Sequence, residues 1–570
     1  MSAIAGIITS STDDLRFISA MTDMLGHRGA QADGILWMQE DGTTRISRDS
    51  LPSTVLIPGR AALGHRQLAS FGEPVPQPLA SADSRYWLAY DGTIYNYREL
   101  RSTMEAHGHR FTTHSDAETV LAAYTLYGRD CFQKFNGPFA LAILDTQERT
   151  LLLARDSLGI RPVYFWAHRG RLAFASEIKA LFAIPEIRPK LERQTIGEFI
   201  RFGGVLSEQK TMFAHIQPLP PGTSVVIPLD TPNVVKPVPF NAPIAPGESY
   251  DDTAAARFRD LFFASVERQR SSPLEIGTCL TGGLDSTAIA CVLRQQLGDG
   301  AMLNSFTAIF EQPGYDERTW VTAANSAAHT LSNLVAPMPE DFMAELDTLL
   351  WHQDEPFAHV GTYAQWCVAR AAREAKVSVI LDGHGADEHV GLAPLPSLMQ
   401  RLLPRHSREE SRALAKLAPS VTGVGQADRL SRALHCGDRN AMAFGVELRM
   451  PYLDQPLIAF ARNLPGGLKQ GKQLMRRALA DILPEPIITR SPSPAFHVPL
   501  VEWMQGTILP AFLRDIKHAR LPLAPIVHGG ELREIVTRQV EHPDAALAPL
   551  LFRLFIANRW MLRFNVAPVI

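Results

Sequence analysis

The centre of the chain reads Leu280-Thr281-Gly282-Gly283-Leu284-Asp285-Ser286-Thr287. This stretch follows an apolar run, Leu274 to Leu280, that predicts a buried strand, and it leads into a predicted helix that opens at Ala288. Paired glycines let backbone N–H groups close on an anion, and the N-terminus of a helix adds partial positive charge. The hydroxyl groups within the stretch supply further donors. The pattern therefore predicts a phosphate-binding turn between a strand and a helix.

The turn lacks the Lys that ends the mononucleotide-binding loop of the Gly-x-x-x-x-Gly-Lys type. It resembles instead the Ser-Gly-Gly-x-Asp-Ser loop of the ATP pyrophosphatases, with Thr281 in the first position. Those enzymes cleave ATP between the α and β phosphates, so the resemblance implies ATP as cofactor and adenylation of a substrate. A glycine-rich turn without a ligand is the alternative for this stretch taken alone. The resemblance implies nucleotide contacts at Thr281, Gly282, Gly283, Asp285, Ser286 and Thr287.

The composition is that of an ordinary soluble globular protein. Of the 570 residues, 46% are hydrophobic and 20% are charged, and a chain of this length can form at least two hydrophobic cores. A net charge of −3 gives no case for nucleic acid or an anionic membrane surface. The five cysteines form no Cys-x-x-Cys pair, which fits a reducing cytoplasm better than a disulfide framework or a zinc site. No apolar run reaches about 18 residues, so we expect no transmembrane segment.

The first part of the chain, residues 1–229, shows short alternating strands and turns that predict an α+β domain of packed sheets. Its motifs resemble, in the same order, the glutaminase domain of asparagine synthetases. That resemblance implies a sandwich fold of the N-terminal nucleophile type. The motifs are His27-Arg28-Gly29, Gly64-His65-Arg66, Asp91-Gly92-Thr93-Ile94-Tyr95-Asn96, Ser115-Asp116-Ala117-Glu118, Asn136-Gly137-Pro138, Arg155-Asp156-Ser157-Leu158-Gly159 and Ala175-Ser176-Glu177-Ile178-Lys179.

The residues that would hydrolyse glutamine in this domain are replaced. The family uses a Cys that becomes the first residue after Met removal, whereas residue 2 here is Ser, which some members of the fold use as a nucleophile. Gln67 stands in place of the Arg that binds the substrate carboxylate, and Asp91 and Thr93 replace the Asn and Glu that hold the oxyanion and the substrate amine. The loss of one oxyanion donor costs about 3–4 kcal/mol. We expect a degenerate domain without glutaminase activity, in which Asp116 is a remnant.

A cluster of prolines between Pro218 and Pro246 predicts an extended connection, which we assign to residues 230–250. From residue 251 to residue 570, strands alternate with many helices. This alternation predicts an α/β domain with a parallel, doubly wound sheet and with ligands at the carboxyl ends of its strands. The resemblance implies that this is the ATP-pyrophosphatase domain of an asparagine synthetase.

A second motif, Asp382-Gly383-His384-Gly385-Ala386-Asp387-Glu388, follows a predicted strand at Val377–Leu381. It resembles the Ser-Gly-x-Gly-x-Asp-Glu segment of the same family, which implies a nucleotide contact at Gly383. Asp285 and Asp387 would each bring a carboxylate to the triphosphate, and hard oxygen ligands from two loops suit Mg²⁺. A helix cap or a turn is the alternative role for either Asp alone.

His384 occupies the variable position of this motif, which is Glu in asparagine synthetases and Tyr in β-lactam synthetases. An acyl adenylate is attacked by a neutral amine, and a His with a pKa of about 6.5 can accept the proton of an α-amine with a pKa of about 7.7–8.0. The Glu that assists the Tyr of β-lactam synthetases aligns with Ala441, so that dyad is absent. A His here resembles the lasso-peptide macrolactam synthetases. A His that merely packs at a turn is the alternative.

Lys472 lies in Gly471-Lys472-Gln473-Leu474-Met475-Arg476, which resembles the family segment whose Lys stabilises the adenylate and the tetrahedral intermediate. A fixed ammonium beside a developing oxyanion is worth several kcal/mol in a dry site, on the order of the loss of an oxyanion donor. A solvated surface Lys is the alternative. The segment from Arg490 to His497 lacks the Lys and Gly-Phe of aspartate-using relatives, so we expect substrate binding to differ there.

Together the motifs favour an ATP- and Mg²⁺-dependent ligase that forms a carbon–nitrogen bond and releases AMP and pyrophosphate. Our first hypothesis is a macrolactam synthetase that joins a side-chain carboxylate of a precursor peptide to its N-terminal amine, with a leader peptidase and a leader-binding protein as partners. The alternative is an asparagine synthetase-like or β-lactam synthetase-like enzyme that acts on a small-molecule carboxylate. A third hypothesis, an inert scaffold, conflicts with the presence of Asp285, Asp387 and Lys472.

Overall fold

We describe the protein from a computed structural model. It describes residues 2–29, 32–49, 51–52, 55–68, 75–207, 209–233, 235–240, 253–272, 274–391, 409–410, 412–413, 429–490, 498–518 and 520–567. All structural statements below concern these residues. The predicted substrate-binding difference at residues 491–497 lies outside them.

The first domain contains two antiparallel sheets that share an apolar core. One sheet has the strand order β11-β9-β10-β1-β4-β2-β3 and the other β13-β12-β8-β7-β6-β5. Its strands are β1 (Ser2–Asp14), β2 (Ala32–Met38), β3 (Thr44–Ser47), β4 (Pro58–Gln67), β5 (Leu79–Ala80), β6 (Tyr86–Gly92), β7 (Phe139–Asp145), β8 (Thr150–Arg155), β9 (Tyr164–His168), β10 (Arg171–Ala175), β11 (Gln217–Pro218), β12 (Thr223–Pro228) and β13 (Val238–Pro239).

Helices cover the outer faces of both sheets, which gives an αββα sandwich. The first half of β1 is apolar because both of its faces are covered. Ile4 and Ile8 point into the core between the sheets, whereas Ala5 and Ile7 point towards the helices on the other face. The helices are α1 (Phe17–Met24), α2 (Tyr97–Ala106), α3 (Asp116–Tyr127), α4 (Ile178–Leu181) and α5 (Arg193–Phe202).

The second domain is built on a parallel sheet of five strands in the order β16-β15-β14-β17-β18. These strands are β14 (Ile276–Cys279), β15 (Asn304–Ala308), β16 (Leu331–Val335), β17 (Val379–Leu381) and β18 (Glu447–Arg449). The helices are α6 (Ala254–Arg270), α7 (Leu284–Leu297), α8 (Arg318–Ala328), α9 (Pro339–Gln353), α10 (Gly361–Glu374), α11 (Arg429–Ala443), α12 (Gln455–Arg462), α13 (Gly466–Lys469), α14 (Gln473–Ala478), α15 (Glu485–Thr489), α16 (Leu500–Trp503), α17 (Leu509–Lys517), α18 (Gly529–Glu541) and α19 (Ala548–Arg563).

The strands β14 and β17 are neighbours in this sheet, with Thr278 opposite Leu381. The phosphate-binding turn follows β14, and the second motif follows β17. Because parallel strands place their carboxyl ends at the same edge, the sheet brings these two motifs together. The predicted doubly wound domain is therefore confirmed, together with the sandwich that precedes it.

The sequence predicts a first helix near Thr12–Leu25. Its predicted start was wrong, because β1 continues to Asp14 and α1 begins at Phe17. Two strands of the parallel sheet, β16 and β18, were not predicted. The strand β16 lies at the sheet edge and is half exposed, so it lacks an apolar run. The strand β18 carries the charged residues Glu447 and Arg449, which are buried and form an ion pair with each other.

Part of the predicted connection between the domains packs against the first domain. Val238–Pro239 pair with β12 of the first domain, and Phe240 packs in an apolar cluster of that domain. Residues 241–250 lie outside the described residues, so the bounds 1–229, 230–250 and 251–570 stay a prediction.

One helical segment in the described part of the chain, Ala545–Arg563, is long and apolar enough to cross a membrane, with a mean hydropathy of 1.3. However, 72% of its 18-residue apolar window is buried inside the protein, as in the core helix of a soluble domain. All five cysteines are free thiols.

Candidate active site

The phosphate-binding turn has the backbone that its glycines predict. Gly282 has a φ of +70°, and a Cβ at this position would lie 2.7 Å from the backbone carbon of Trp320. The backbone N–H of Thr281 donates a hydrogen bond to Ser286 Oγ at 3.1 Å, and Thr287 Oγ1 donates to the carbonyl of Gly283 at 2.7 Å. These bonds fix the turn at the N-terminus of α7, where backbone donors face an anion.

Lys472 lies between the two carboxylates that we predicted as metal ligands. Its Nζ is 2.5 Å from Asp285 Oδ2 and 2.7 Å from Asp387 Oδ1. Asp387 is presented by a π-helical turn over Ala386–Gly391. Burial lowers the pKa of Lys472, but the two carboxylates outweigh burial and raise that pKa above its usual value. The structure thus brings all three predicted residues to one point.

These residues fit a Mg²⁺ ion bound to phosphate oxygens. Asp285 Oδ1 is buried and has no hydrogen-bond partner, so one hard oxygen donor is available beside the turn. In the described part of the chain, no group of three or more ligand-type side chains lies together. A bound Mg²⁺ would therefore take its remaining ligands from phosphate and water, which is usual for this ion.

His384 forms a pair with Asp382, the first residue of its own motif. The backbone N–H of His384 donates to Asp382 Oδ1 at 2.9 Å, and Nδ1 of the ring contacts the same oxygen. The other ring nitrogen, Nε2, lies 3.4 Å from Nε2 of Gln365 on α10. Burial lowers the pKa of His384, but Asp382 outweighs burial and raises that pKa. With Nδ1 held by a carboxylate, Nε2 is the nitrogen that can take a proton, in exchange for its contact with the Gln365 amide.

A cavity connects this pair with the phosphate-binding turn. Its lining includes Thr281 of the turn and Asp382 and His384 of the second motif. The remainder of the wall is mostly apolar and comes from the sheet and from α10 and α11. These wall residues include Cys279, Phe306, Ile380 and Leu448 from the strands, Val368 and Ala369 from α10, and Gly437, Asn440 and Ala441 from α11.

The residues that replace the glutaminase set are buried and bonded inside the protein. Asp91 Oδ1 accepts a hydrogen bond from the backbone N–H of Ser2 at 2.9 Å, and Thr93 Oγ1 donates to Glu447 Oε1 at 3.0 Å. Asp116 accepts from the hydroxyl of Tyr90 at 2.9 Å, and burial raises the pKa of Asp116 to about 6. Gln67 is also buried. Asp91, Thr93 and Asp116 are thus each engaged by hydrogen bonds within the protein.

Family models match nearly all of the chain. Residues 1–234 match a glutamine amidotransferase domain, and residues 257–420 and 425–561 match asparagine synthase. The chain belongs to the asparagine synthase family. It is therefore an ATP-dependent ligase that forms a carbon–nitrogen bond with release of AMP and pyrophosphate, as the motifs predicted.

Curated members of the asparagine synthase family align over most of this chain. Asparagine synthetase 1 of Bacillus subtilis (strain 168), named glutamine-hydrolyzing, is 27% identical over 575 residues, covering 88% of this chain and 86% of that protein. A putative glutamine-hydrolyzing asparagine synthetase of Mycobacterium bovis is 28% identical over 576 residues, covering 86% and 85%. The solved glutamine phosphoribosylpyrophosphate amidotransferase of B. subtilis covers 67% of this chain and 80% of that chain at 15% identity, with a TM-score of 0.32, a likeness too weak to bear on function.

Sequence analysis missed two parts of this asparagine synthase site. Asp382 was seen only as the residue in place of the family Ser, although its two-residue spacing from His384 was a usable signal. The second part is the segment Trp351 to Pro356, which also matches the asparagine synthetases in sequence but had no predicted role. In the structure, Asp354 Oδ2 accepts from the backbone N–H of Ile178 at 2.8 Å, so this motif joins the two domains.

Proposed function

We propose that this protein activates a carboxylate with ATP and joins it to an amine that His384 deprotonates. In the first step a carboxylate oxygen attacks the α-phosphorus, and the bond from that phosphorus to the oxygen bridging to the β-phosphate breaks, so pyrophosphate leaves. In the second step the amine attacks the acyl carbon, its proton passes to His384 Nε2, and AMP leaves with the electron pair of the acyl–oxygen bond. Neither step changes an oxidation state, so no redox partner is needed.

Each residue of the proposed site has a defined task. The turn Thr281 to Thr287 binds the departing phosphates through backbone and hydroxyl donors, and Gly383 allows close approach from the neighbouring strand end. Asp285 and Asp387 would hold Mg²⁺, which would neutralise phosphate charge. Lys472 places a positive charge beside the same carboxylates and stabilises the charge that develops on the substrate.

The single observation that carries this proposal is the Asp382–His384 pair at the wall of a cavity that also reaches Thr281. A carboxylate that holds Nδ1 fixes the orientation of the imidazole and favours proton uptake at Nε2, which is what a general base for an amine requires. The Ser2–Asp91 contact supports an amine source other than glutamine, because the nucleophile position of the first domain is engaged by a carboxylate.

The identity of the carboxylate has two candidates, each favoured by a different observation. The similarity to curated asparagine synthetases favours a small-molecule carboxylate. His384, by its resemblance to lasso-peptide macrolactam synthetases, favours a peptide whose side-chain Asp or Glu is joined to its own N-terminal amine. Ring closure would require the protein to hold amine and acyl carbon close together, at about 3–3.5 Å.

The product formed separates these candidates, and pyrophosphate release tests the activation step that they share. The purified protein is given Mg²⁺ and ATP, with either L-aspartate and ammonium or linear peptides that carry a free N-terminus and an internal Asp or Glu. A product peptide lighter by one water supports the macrolactam candidate, and the same peptide with an acetylated N-terminus is the control, since it lacks the nucleophile. Asparagine formation supports the small-molecule candidate. Failure of every carboxylate to elicit pyrophosphate release contradicts the proposal.

A further inference from the structure

The helix α11 has two faces with different partners. Gly437, Asn440 and Ala441 line the cavity beside His384. Asp438 points the other way, into the first domain, where it is almost fully buried. A shift of α11 would therefore move one wall of the cavity, and the contacts of Asp438 determine where that wall lies.

Two arginines of the first domain hold Asp438. Arg28 Nη1 lies 2.7 Å from Asp438 Oδ2, and Arg161 Nη1 lies 2.8 Å from Asp438 Oδ1. Both guanidinium groups are buried. Burial raises the pKa of Asp438, but Arg28 and Arg161 outweigh burial and hold that pKa well below its usual value, so the contact is an ion pair.

The replaced glutaminase residues anchor these contacts on the side of the first domain. Asp91 Oδ2 accepts from Arg28 Nη2 at 3.1 Å while its other oxygen accepts from Ser2, and Glu177 Oε1 accepts from Arg28 Nη1 at 3.0 Å. An Asn in place of Asp91 would offer Arg28 no charge. The substitution that removes an oxyanion donor therefore also supplies a carboxylate for a buried arginine.

A second replaced residue reaches the cavity wall through β18. Thr93 Oγ1 donates to Glu447 Oε1 at 3.0 Å, and the next residue of the strand, Leu448, lines the cavity. Successive residues of a strand point to opposite sides, so a fixed Glu447 also fixes Leu448. Asp91 and Thr93 are thus both linked to the wall of one cavity.

We propose that the first domain acts as a positioning element, which holds α11 and β18 in place through Arg28, Asp438, Thr93 and Glu447 so that the cavity beside His384 keeps its shape. The hydrogen bonds that fix the phosphate-binding turn lie within the turn and the start of α7, so we expect nucleotide binding to change less than the cavity. The functional value of the cavity rests on the function proposed above, whereas the anchoring of its wall does not.

Hydrogen–deuterium exchange of the full chain tests the anchoring without a substrate. In Arg28→Met, peptides covering 429–443 should exchange about tenfold faster or more, because the local opening of α11 becomes easier. Peptides covering 284–297 should keep their exchange rate, and the affinity for ATP with Mg²⁺ should stay within about twofold, because the turn before α7 is held by its own hydrogen bonds. Arg28→Lys should restore part of the protection, since an ammonium can still pair with Asp438.

Arg85→Met is the matched control, because Arg85 pairs with Asp145 inside the first domain, 2.8 Å away, and does not reach α11. Thr93→Val gives a milder variant if Arg28→Met fails to fold, and it should speed exchange in peptides that contain 447–449. Unchanged exchange of these segments would overturn the proposal. So would a uniform increase in 284–297 and 429–443 alike, which would mean that the arginine contributes only to general stability.

Discussion

The carboxylate of Asp91 accepts the backbone N–H of Ser2 at a distance of 2.9 Å. Ser2 stands where the family resemblance implies a catalytic nucleophile whose own free amine acts as base. A neighbouring carboxylate stabilises an amine in its charged form, whereas a general base must be neutral. The nucleophile position and the oxyanion position of the first domain are therefore hydrogen-bonded to each other.

We expect no hydrolysis of glutamine by this protein. Purified chain incubated with glutamine should release no glutamate above the background of buffer alone, with or without ATP and Mg²⁺. Asp91→Asn serves as a second test, because it restores one residue of the glutaminase set but leaves Gln67 and Thr93 in place. Glutamate release by the unaltered chain would contradict both the prediction and the internal contact on which it depends.

Asp285→Ala and Asp387→Ala should each weaken the binding of ATP in the presence of Mg²⁺ by about tenfold or more, and each should abolish pyrophosphate release, because each removes a hard oxygen ligand beside the phosphates. Calorimetric titration with and without Mg²⁺ measures the effect. Asp299→Ala, at an exposed turn after α7, is the control. If either variant keeps normal Mg²⁺-dependent binding, the metal assignment is wrong for that residue.

Lys472→Met should impair both half-reactions, because the ammonium faces the phosphates in the first and the developing oxyanion in the second. It should also leave Asp285 and Asp387 without their shared cation, so Mg²⁺ should bind more tightly in the absence of nucleotide. The first effect is measured by pyrophosphate release and the second by a Mg²⁺ titration. Exposed Lys517 gives the matched control, Lys517→Met. Full activity of Lys472→Met would show that this Lys has no catalytic part.

His384→Ala should separate the two half-reactions. Adenylation of the substrate should be largely retained, whereas amide formation should fall by about 10²–10⁴-fold, the usual contribution of a general base. The loss should shrink above a pH of about 8, because an α-amine then arrives already deprotonated. Equal loss of both half-reactions at every pH would instead assign His384 to nucleotide binding or to the structure of the turn.

Asp382→Asn should move the acid limb of the pH–rate profile for amide formation to lower pH. Asp382 raises the pKa of His384, so removal of its charge lowers that pKa and keeps the base form to lower pH. Asp387 and Glu388 also raise the pKa of His384 and remain in the variant, so the shift should be partial. The maximal rate should fall as well, because a weaker base accepts the proton less readily. If the acid limb does not move, the pairing of Asp382 with His384 does not determine the pH dependence of amide formation.

The sequence by itself determined the local structure of the predicted phosphate-binding turn. Gly282 and the hydroxyls that close the turn act within a few residues of each other, and such local geometry depends on backbone dihedrals and short-range hydrogen bonds. The replacement of the glutaminase residues was equally visible, because a missing functional group needs no structure to be recognised. Those two features predicted an adenylating ligase with a degenerate first domain, and the family match confirmed the ligase.

Only the tertiary structure decided which of these residues meet. Lys472 is 187 positions from Asp285, and Asp438 is 410 positions from Arg28, yet each pair shares a hydrogen bond. The two-residue spacing of Asp382 and His384 allows them to pair, but the side-chain rotamers that bring the ring to the carboxylate are set by packing. Contacts of this kind form when whole sheets and helices pack, and the position of a buried charge is set by the partner that compensates its desolvation, which the local sequence does not contain.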